Sequence, residues 1–372
     1  MELLDFIEKH ENWRELLKEP PYSLNVKEDE GFTLLKYEML NSDFSIPLVN
    51  ECRGIILDSN NKIVCFPFYK FFNYGEVYAD KIDWSTARVQ QKVDGSIMKL
   101  WCYDGKWRLS TNGSVNAYNA KPDSNWSQDY HDITFGELFE SAVNYKDIDF
   151  SSLDPNYTYI FELTSPYAKV VIQYPETSIW HLGTRDNRTF QELDVDIGVK
   201  KPASYPLKTM QDCIEAAKAL PSDQEGFVVV DAFWKRIKIK NPTYLRLHRM
   251  IANRHLQRYD VVKMLLENEQ DEFLCYFPEY KPAFDEFKRM ISKYKTKLET
   301  TFAALDVTKS RKDIAAEIMS KDADNSFYYF RRLGDENYSV EIYLLSLTKE
   351  KVLAKLQIKE EYFYRFISKF EQ

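Results

Sequence analysis

The positions of the glycines constrain the fold of this 372-residue chain more than any other feature. Ten of the eleven lie at or before Gly226, and only Gly334 follows. Glycine supplies the turns that join short strands, whereas the interior of a helix disfavours it. We therefore expect a strand-rich first part and a helical last part.

Runs of β-branched and aromatic residues, bounded by Asp, Asn, Pro or Gly, are concentrated in the first part and predict strands. These runs are RGIILD from Arg53, KIVCFPF from Lys62, YTYIFELT from Tyr157, AKVVIQY from Ala168, SIWHLGT from Ser178, GFVVVDAF from Gly226 and RIKIK from Arg236. Two further runs flank Asp104 and Gly105, a dipeptide that favours the type I′ turn of a β-hairpin.

Beyond about Asn241, apolar residues recur every three or four positions, which is the period of a helix. The clearest set is Phe284, Phe287, Ile291, Tyr294 and Leu298. A helix is also predicted near residues 2–18, ending before Pro20 and Pro21. The pattern predicts an α+β domain of about 240 residues followed by a helical domain.

Composition favours a water-soluble globular protein, since 44% of residues are hydrophobic and 29% are charged. The five cysteines are spread widely without a C-x-x-C pair, which argues against a disulfide framework or a zinc site and for a reducing compartment. The charged start of the chain lacks a signal-peptide core, and no apolar run approaches a membrane span. We expect a cytoplasmic protein without a membrane partner.

A net charge of -8 at first disfavours a nucleic-acid partner, but the charge is placed unevenly. Residues 235–263 contain nine basic residues and one acid, Asp260. The basic residues are Lys235, Arg236, Lys238, Lys240, Arg246, Arg249, Arg254, Arg258 and Lys263. This segment is either a polyanion-binding surface or a solvated helix face.

Lys92, in the sequence KVDGS at the end of a predicted strand, is the first candidate for chemistry. Such a lysine, taken alone, is usually a solvated edge residue. Other charged residues on predicted strands strengthen the functional interpretation: Arg53, Lys70, Glu162, Glu225, Lys238 and Lys240. Strand alternation places Lys238 and Lys240 on one face, which is useful when a polyphosphate lies between them.

This set of residues suits attack of a lysine on phosphorus. Neighbouring cations favour the neutral, nucleophilic form of a lysine and also neutralise a triphosphate. Carboxylates hold magnesium, and Gly95 lets the backbone approach a phosphate closely. The expected chemistry is a covalent lysyl-AMP nucleotidyl transfer, with Lys92 attacking the α-phosphate of ATP.

Six motifs carry a resemblance to a known family. They are ECRGI, KFFN, KVDGS, FEL, EGFVVV and KIKNPTYLRLH, in this order. The chain resembles the RNA ligase 1 family of bacteriophage-type ATP-dependent RNA ligases, within the covalent nucleotidyltransferase superfamily. The resemblance implies an adenylyltransferase domain of antiparallel sheets with flanking helices at 1–243. It also implies an all-helical C-terminal domain at 244–372 that provides RNA or tRNA specificity.

The resemblance also implies roles for individual residues. Lys92 matches the adenylylated nucleophile. Tyr37, Arg53, Lys70, Lys238 and Lys240 match positions that contact ATP. Glu162 matches an essential acid of the nucleotide pocket, Glu225 an acid that assists the metal-dependent step, and Tyr244 a further essential aromatic residue. Asp271 matches a metal-site acid, and the implied cofactors are ATP, as substrate, and Mg²⁺ or Mn²⁺.

One position departs from the family pattern. The family usually has a basic residue before the glycine in the sequence STNGS, where this chain has Asn112. Asparagine still donates a hydrogen bond but brings no charge. Either the handling of ATP is altered, or a cation such as Arg108 takes its place.

The implied function is ATP-dependent joining of 5′-phosphate and 3′-hydroxyl RNA ends through lysyl-AMP and adenylylated RNA. The expected context is repair of single-stranded or nicked RNA, including tRNA, by a monomer in the cytoplasm, that of the host if the protein is phage-encoded. Two alternatives stay open at this point. One is a ligase acting on DNA ends, and the other a nucleotide-dependent RNA-binding protein without ligation.

Overall fold

The computed structural model describes residues 1–122, 132–221, 223–242, 257–276 and 278–360. The chain divides into two compact units, Met1–Glu38 with Ser42–His248 and Met39–Asn41 with Arg249–Gln372. The strands lie in the first unit, and the described part of the second is mainly helical. The structure therefore confirms the predicted fold class, a mixed α+β region followed by helices.

Fourteen strands are present in the described part of the first unit. They are β1 (Leu24–Asp29), β2 (Phe32–Tyr37), β3 (Arg53–Leu57), β4 (Ile63–Cys65), β5 (Phe72–Asn73), β6 (Arg88–Gln91), β7 (Ser96–Tyr103), β8 (Lys106–Thr111), β9 (Tyr157–Thr164), β10 (Ser178–Asp186), β11 (Glu192–Leu193), β12 (Ser204–Tyr205), β13 (Gly226–Val230) and β14 (Arg236–Lys240).

These strands form three sheets with the orders β1-β2-β3-β4, β11-β10-β9-β7-β8 and β12-β6-β13-β14-β5. All neighbours are antiparallel except β5 and β14, which are parallel. The predicted hairpin is confirmed: β7 and β8 pair through Tyr103 and Lys106, and both Asp104 and Gly105 have positive φ. β6 and β7 lie in different sheets, so the segment 92–95 crosses from one sheet to the other.

The helices of the first unit are short and amphipathic. They are α1 (Glu2–Lys9), α2 (Trp13–Lys18), α3 (Pro47–Glu51), α4 (Phe135–Ser141) and α5 (Met210–Ala219). The single helix predicted near residues 2–18 is thus two helices. The turn between them lets Leu3, Trp13 and Leu17 all enter one apolar core with β3.

The segment AKVVIQY, predicted as a strand, is irregular in the structure. The backbone N–H groups of Val171 and Ile172 both donate to Asp94 Oδ2, at 3.0 and 2.6 Å. These amides are therefore used by a side chain and are not available to a sheet ladder. β-propensity alone did not decide the conformation here.

The described helices of the second unit are α6 (Arg258–Leu266), α7 (Gln270–Tyr276), α8 (Lys281–Ala303), α9 (Arg311–Asp322), α10 (Ser326–Gly334), α11 (Val340–Leu345) and α12 (Lys349–Lys355). The five periodic apolar residues of α8 are buried, as the spacing predicts. They join one core with residues of α6, α9, α10 and α11. Within the residues that the structure describes, no helix has both the length and the apolar character needed to span a bilayer.

Candidate functional site

Lys92 and Glu225 form the centre of the candidate site. The Lys92 N–H donates to Gly226 O at 2.8 Å, which continues the pairing of β6 with β13 by one residue. The Lys92 side chain, 21% exposed, reaches Glu225 Oε2 at 2.5 Å. The closest charged partner of the predicted nucleophile is therefore a carboxylate on the adjacent strand end.

Glu162, on β9, is the second acid at this site and is 8% exposed. Burial raises the pKa of its carboxyl to about 8; Lys92 opposes the shift, Glu225 adds to it and Arg53 opposes it. Lys92, Glu225 and Arg53 therefore all lie within electrostatic range of Glu162. The structure thus brings together four of the residues that the sequence predicts.

Asp94 and Gly95 connect the Lys92 segment to its surroundings. The Asp94 carboxylate holds the 171–172 backbone, and its N–H donates to Tyr174 Oη at 3.3 Å. The sequence predicts that Gly95 admits a phosphate, but the structure gives it a different neighbour. A Cβ at this position would overlap the Leu163 carbonyl and lie 3.0 Å from Glu162 Cγ. Gly95 therefore allows close packing against β9.

The lysines of β14 alternate with buried residues, as the sequence predicts. Ile237 and Ile239 are at most 1% exposed, while Lys238 and Lys240 are half-buried on the other face. Lys240 pairs with Gly226 in the sheet register and so lies beside Glu225 in the backbone. Two of the predicted phosphate-binding residues are therefore presented on one face next to the acid.

Phe71 joins two of the predicted cations, and the sequence did not single it out. The Arg53 guanidinium lies 4.8 Å from the centre of its ring, and Lys238 Nζ lies 5.4 Å from it. A ring between two cations attracts both through its π face. The one sequence feature that could have indicated Phe71 as a site residue is its position inside KFFN, directly after Lys70.

Lys70 and Tyr37 also meet in the structure. Lys70 Nζ lies 4.8 Å from the ring of Tyr37 and 4.3 Å from that of Phe44. Burial lowers the pKa of Lys70 to about 8, Glu76 opposes this shift and Arg53 adds to it. This places Lys70 in electrostatic range of Arg53, which links it to the group around Lys92.

The turn containing Asn112 has cations beside it, but Arg108 is not one of them. The Arg108 guanidinium pairs with Glu30 at 3.0 Å and covers the Phe32 ring. Lys36 Nζ instead lies 3.9 Å from the position of a Cβ on Gly113. The suggestion that Arg108 replaces the missing charge is therefore not supported.

A buried lysine lies next to the same turn. Lys99 is fully buried and its ammonium donates to Gly54 O. A Cβ on Gly54 would lie 2.9 Å from both Lys99 Nζ and Asn112 O, so the two residues are close. Burial lowers the pKa of Lys99 to about 8. The hydrophobic run around Lys99 did not predict that its ammonium is buried beside this turn.

Two further site residues are predicted by the sequence, Tyr244 and Asp271. Tyr244 lies outside the described residues. Asp271 is in the first turn of α7, in the second unit, and its role as a metal ligand stays a prediction. Across the described ranges, no three His, Cys, Asp or Glu side chains come together as a ready-made metal site.

In the described part of the basic segment 235–263, three basic residues are already engaged within the protein. Arg236 is 8% exposed and pairs with Glu192 at 2.5 Å, Arg258 donates to Ile358 O, and Lys263 pairs with Glu267. Arg246, Arg249 and Arg254 lie outside the described residues. The polyanion interpretation therefore applies to individual lysines such as Lys235, Lys238 and Lys240.

Comparison with known proteins gives a match over the region that contains this site. A family model with the description RNA ligase matches residues 51–244. A protein of Autographa californica nuclear polyhedrosis virus, named as a bifunctional polynucleotide kinase/RNA ligase, is 32% identical over 276 residues. That match covers 68% of this chain but only 38% of the viral protein.

Two further proteins extend the comparison. An RNA ligase of Rhodothermus phage RM378 is 27% identical over 361 residues, covering 77% of this chain and 81% of the phage protein. An archaeal ATP-dependent RNA ligase of known structure has 13% identity and a TM-score of 0.45, with 98% of this chain and 88% of that chain covered. A structural likeness this low carries no inference about this chain.

Proposed function

Because the chain belongs to the RNA ligase family, we propose that it joins 5′-phosphate and 3′-hydroxyl RNA ends with ATP, through AMP bound covalently to Lys92. The observation that carries this proposal is the contact between Lys92 Nζ and Glu225, with Glu162 and Arg53 in electrostatic range. An amine, two acids and a guanidinium in one place provide a nucleophile, proton acceptors and a phosphate ligand.

In the first step, Lys92 Nζ attacks the α-phosphorus of ATP. The N–P bond forms, the bond from the α-phosphorus to the bridging oxygen breaks, and pyrophosphate leaves with that electron pair. Glu225, 2.5 Å from the amine, is placed to receive its proton. Arg53 and Lys238, which share the Phe71 ring, would hold the phosphates, together with Lys240 and Lys70.

In the second step, a 5′-phosphate oxygen of RNA attacks the same phosphorus, and Lys92 is the leaving group. In the third, a 3′-hydroxyl attacks the RNA phosphorus and AMP leaves. Each step is a displacement at phosphorus, so the same cations serve all three. The side chain of Lys92 must accept a proton when it leaves, and the Glu225 contact supplies the return path.

A divalent metal fits this set of donors. Mg²⁺ binds through one or two carboxylates together with substrate phosphates, and Glu225 is a carboxylate at this site, beside Lys92. Glu225 would hold the ion, with Asp271 as the predicted further ligand. Mg²⁺ or Mn²⁺ would neutralise charge that develops on the phosphate oxygens.

The wider proposal concerns substrate and location. The chain spans only 38% of the viral relative, so activity and substrate are inferred for the site and not transferred from that protein. We propose adenylyl transfer in 1–243 and RNA or tRNA recognition in 244–372, acting on single-stranded or nicked RNA in the cytoplasm as a monomer. The aromatic and cationic side chains around Phe71 support an RNA strand as the polyanion.

Labelling with ATP carrying radioactive α-phosphate tests the proposal. Wild-type protein with magnesium should retain the label through denaturing electrophoresis, and Lys92→Ala should retain none. Lys106→Ala, which removes an exposed lysine at the turn of the β7–β8 hairpin, is the matched control and should label normally. The folded state of Lys92→Ala is checked by circular dichroism.

Two results would contradict the proposal: an unlabelled wild type, or label that persists in Lys92→Ala. Adding 5′-phosphorylated RNA or DNA strands then separates the possible acceptors. We expect labelled AMP to pass to RNA in preference to DNA. Label on the protein without transfer to either strand would favour the non-ligating alternative.

A further inference from the structure

A cavity of about 900 Å³ in the first unit shares Lys70 and Phe71 with the candidate site, but most of its lining has no role in the chemistry described above. Eight aromatic side chains line it, and Lys92 is not among the lining residues. Three of the rings are exposed to solvent: Phe233 by 72%, Tyr78 by 48% and Tyr69 by 40%. Single exposed apolar residues are common, but several around one cavity indicate a binding surface.

The most exposed ring is held on an ordered turn. Phe233 lies between β13 and β14, where Asp231 Oδ1 accepts hydrogen bonds from the N–H groups of Phe233 and Lys235 at 2.9 and 3.0 Å. The other oxygen of Asp231 accepts from Asp83 N–H at 3.1 Å. Hairpin turns usually contain Gly, Asn or Asp. This turn has such a residue in Asp231, whose buried carboxylate fixes the backbone, and it also presents a phenylalanine to solvent.

Buried ion pairs line part of the cavity. Glu192 pairs with Arg185 at 2.7 Å and with Arg236 at 2.5 Å. The other acids of the lining are also engaged: Asp80 accepts from Arg236 N–H, and Glu51 accepts from Leu3 N–H. The cavity therefore combines aromatic rings with acids that already have partners, and its lining includes the exposed Lys235.

The cavity is continuous with the candidate site through shared residues. Lys70 and Phe71 line it, and Phe71 also contacts Arg53 and Lys238. Along β14, Arg236, Lys238 and Lys240 share one face, so the cavity and Glu225 lie near opposite ends of a strand about 14 Å long. A nucleic-acid strand that ends at Lys92 can follow this face toward the rings.

We propose that this aromatic cavity binds an unpaired base of the RNA strand, stacked on Phe233, with Lys235 beside the adjacent phosphate. Every base has a π face, so stacking suits a strand of any sequence. An RNA strand also complements the lysines at Lys70, Lys235 and Lys238. The identity of the strand as RNA rests on the proposed function, whereas the cavity itself is independent of the ligation chemistry.

A fluorescent base reports directly on stacking. A short single-stranded RNA with 2-aminopurine at successive positions is titrated with full-length protein, recording quenching of the base and anisotropy of an end label. We expect quenching at one position with wild type, and its loss in Phe233→Ala with about a tenfold weaker affinity. Phe233→Trp should retain both signals.

The matched control is Phe330→Ala, which removes a phenylalanine exposed by 45% on α10, outside the cavity. It should bind the RNA as wild type does. Equal affinity and quenching in wild type and Phe233→Ala would overturn the proposal. Because no ATP is present, the test is separate from ligation: Phe233-dependent binding by a protein that takes no ATP label would support the cavity and refute the ligase.

Discussion

At the scale of single residues, the candidate site is a small set of charges in a poorly hydrated place. Glu162 and Glu225 are 8% and 4% exposed, and Lys92 contacts only one of them directly in the described hydrogen bonds. Burial makes the charged form of an acid unfavourable unless a cation compensates it. For Glu162, the effect of burial is not fully offset by the nearby cations Lys92 and Arg53, and its pKa is raised to about 8.

The raised pKa of Glu162 predicts a pH dependence of stability. Its folded-state value lies above the unfolded value of 4.5, so the folded protein binds the extra proton between these limits. The free energy of unfolding should therefore fall as pH rises from 4.5 to 8, by at most about 1.4 kcal/mol per pH unit from this group. Glu162→Gln should remove this contribution.

Urea unfolding of both proteins at pH 5.5 and pH 8 measures the effect. The midpoint of wild type should decrease more between the two pH values than that of Glu162→Gln. Glu11→Gln, which changes an exposed glutamate, should behave like wild type. Identical pH slopes in wild type and Glu162→Gln would show that Glu162 is ionised equally in both states.

At the scale of elements, the β13–β14 hairpin holds Glu225 and Lys240 side by side. Its two strands are in close backbone contact at Gly226. This residue has φ of +141°, and a Cβ would overlap Ile239 O and lie 2.7 Å from Lys240 Cα. A backbone neighbour cannot move aside as a side chain can. Glycine at 226 therefore allows the start of β13, next to Glu225, to pack closely against the end of β14 at Lys240.

Gly226→Ala should destabilise the protein by about 2 kcal/mol or more, because it combines a disfavoured φ with overlap against backbone atoms. Thermal unfolding measures the loss. Gly113→Ala is the matched control: the new Cβ would lie 3.9 Å from Lys36 Nζ, and the φ of Gly113 is not in the glycine-favouring range. We expect that change to stay within about 0.5 kcal/mol. A neutral Gly226→Ala would mean that the strands can separate without cost.

At the scale of the whole molecule, the two units have separate apolar cores. The core of the second unit consists of residues from Val261 to Ile358, and the first unit contains four other clusters. Separate cores permit separate unfolding transitions. Lys92, Glu162 and Glu225, which we propose act on ATP, all belong to the first unit.

Phe287→Ala tests this separation. The side chain is fully buried in the second unit, so its loss should destabilise that unit by about 3–5 kcal/mol. ATP labelling of Lys92 should persist at wild-type extent. Phe330→Ala, exposed in the same unit, should change stability by less than about 0.5 kcal/mol. Loss of labelling in parallel with stability would show that the first unit depends on the second.

Many of the strands and helices could be predicted from the sequence, because burying one face of an element makes apolar residues recur at a regular spacing. The two-residue alternation of Lys238 and Lys240 with buried isoleucines, and the helical spacing of Phe284 and Phe287, follow from one apolar face per element. That Lys92 and Glu225 belong to one site could also be anticipated, through motifs that follow one another in order, but the sequence predicted cations and not a carboxylate as the neighbours of Lys92.

Other features depend on contacts that no local pattern contains. Residues 168–174 have strand-forming side chains, but Asp94 binds two of their amides from 77 and 78 positions away. Arg236 belongs to a basic run, yet it is buried against Glu192, 44 positions earlier. In both cases a carboxylate distant in sequence determines the local structure, and the spacing of apolar residues contains no information about it.

Asn241, which follows β14, has a consequence for how the site can change. Its side-chain amide contacts the carbonyl oxygens of Leu220, Pro221 and Gln224, and its N–H donates to Glu225 O at 2.8 Å. The acid is thus positioned by a frame of main-chain atoms anchored on one fully buried residue. Substitution of the side chains around Glu225 should therefore leave its main-chain position unchanged.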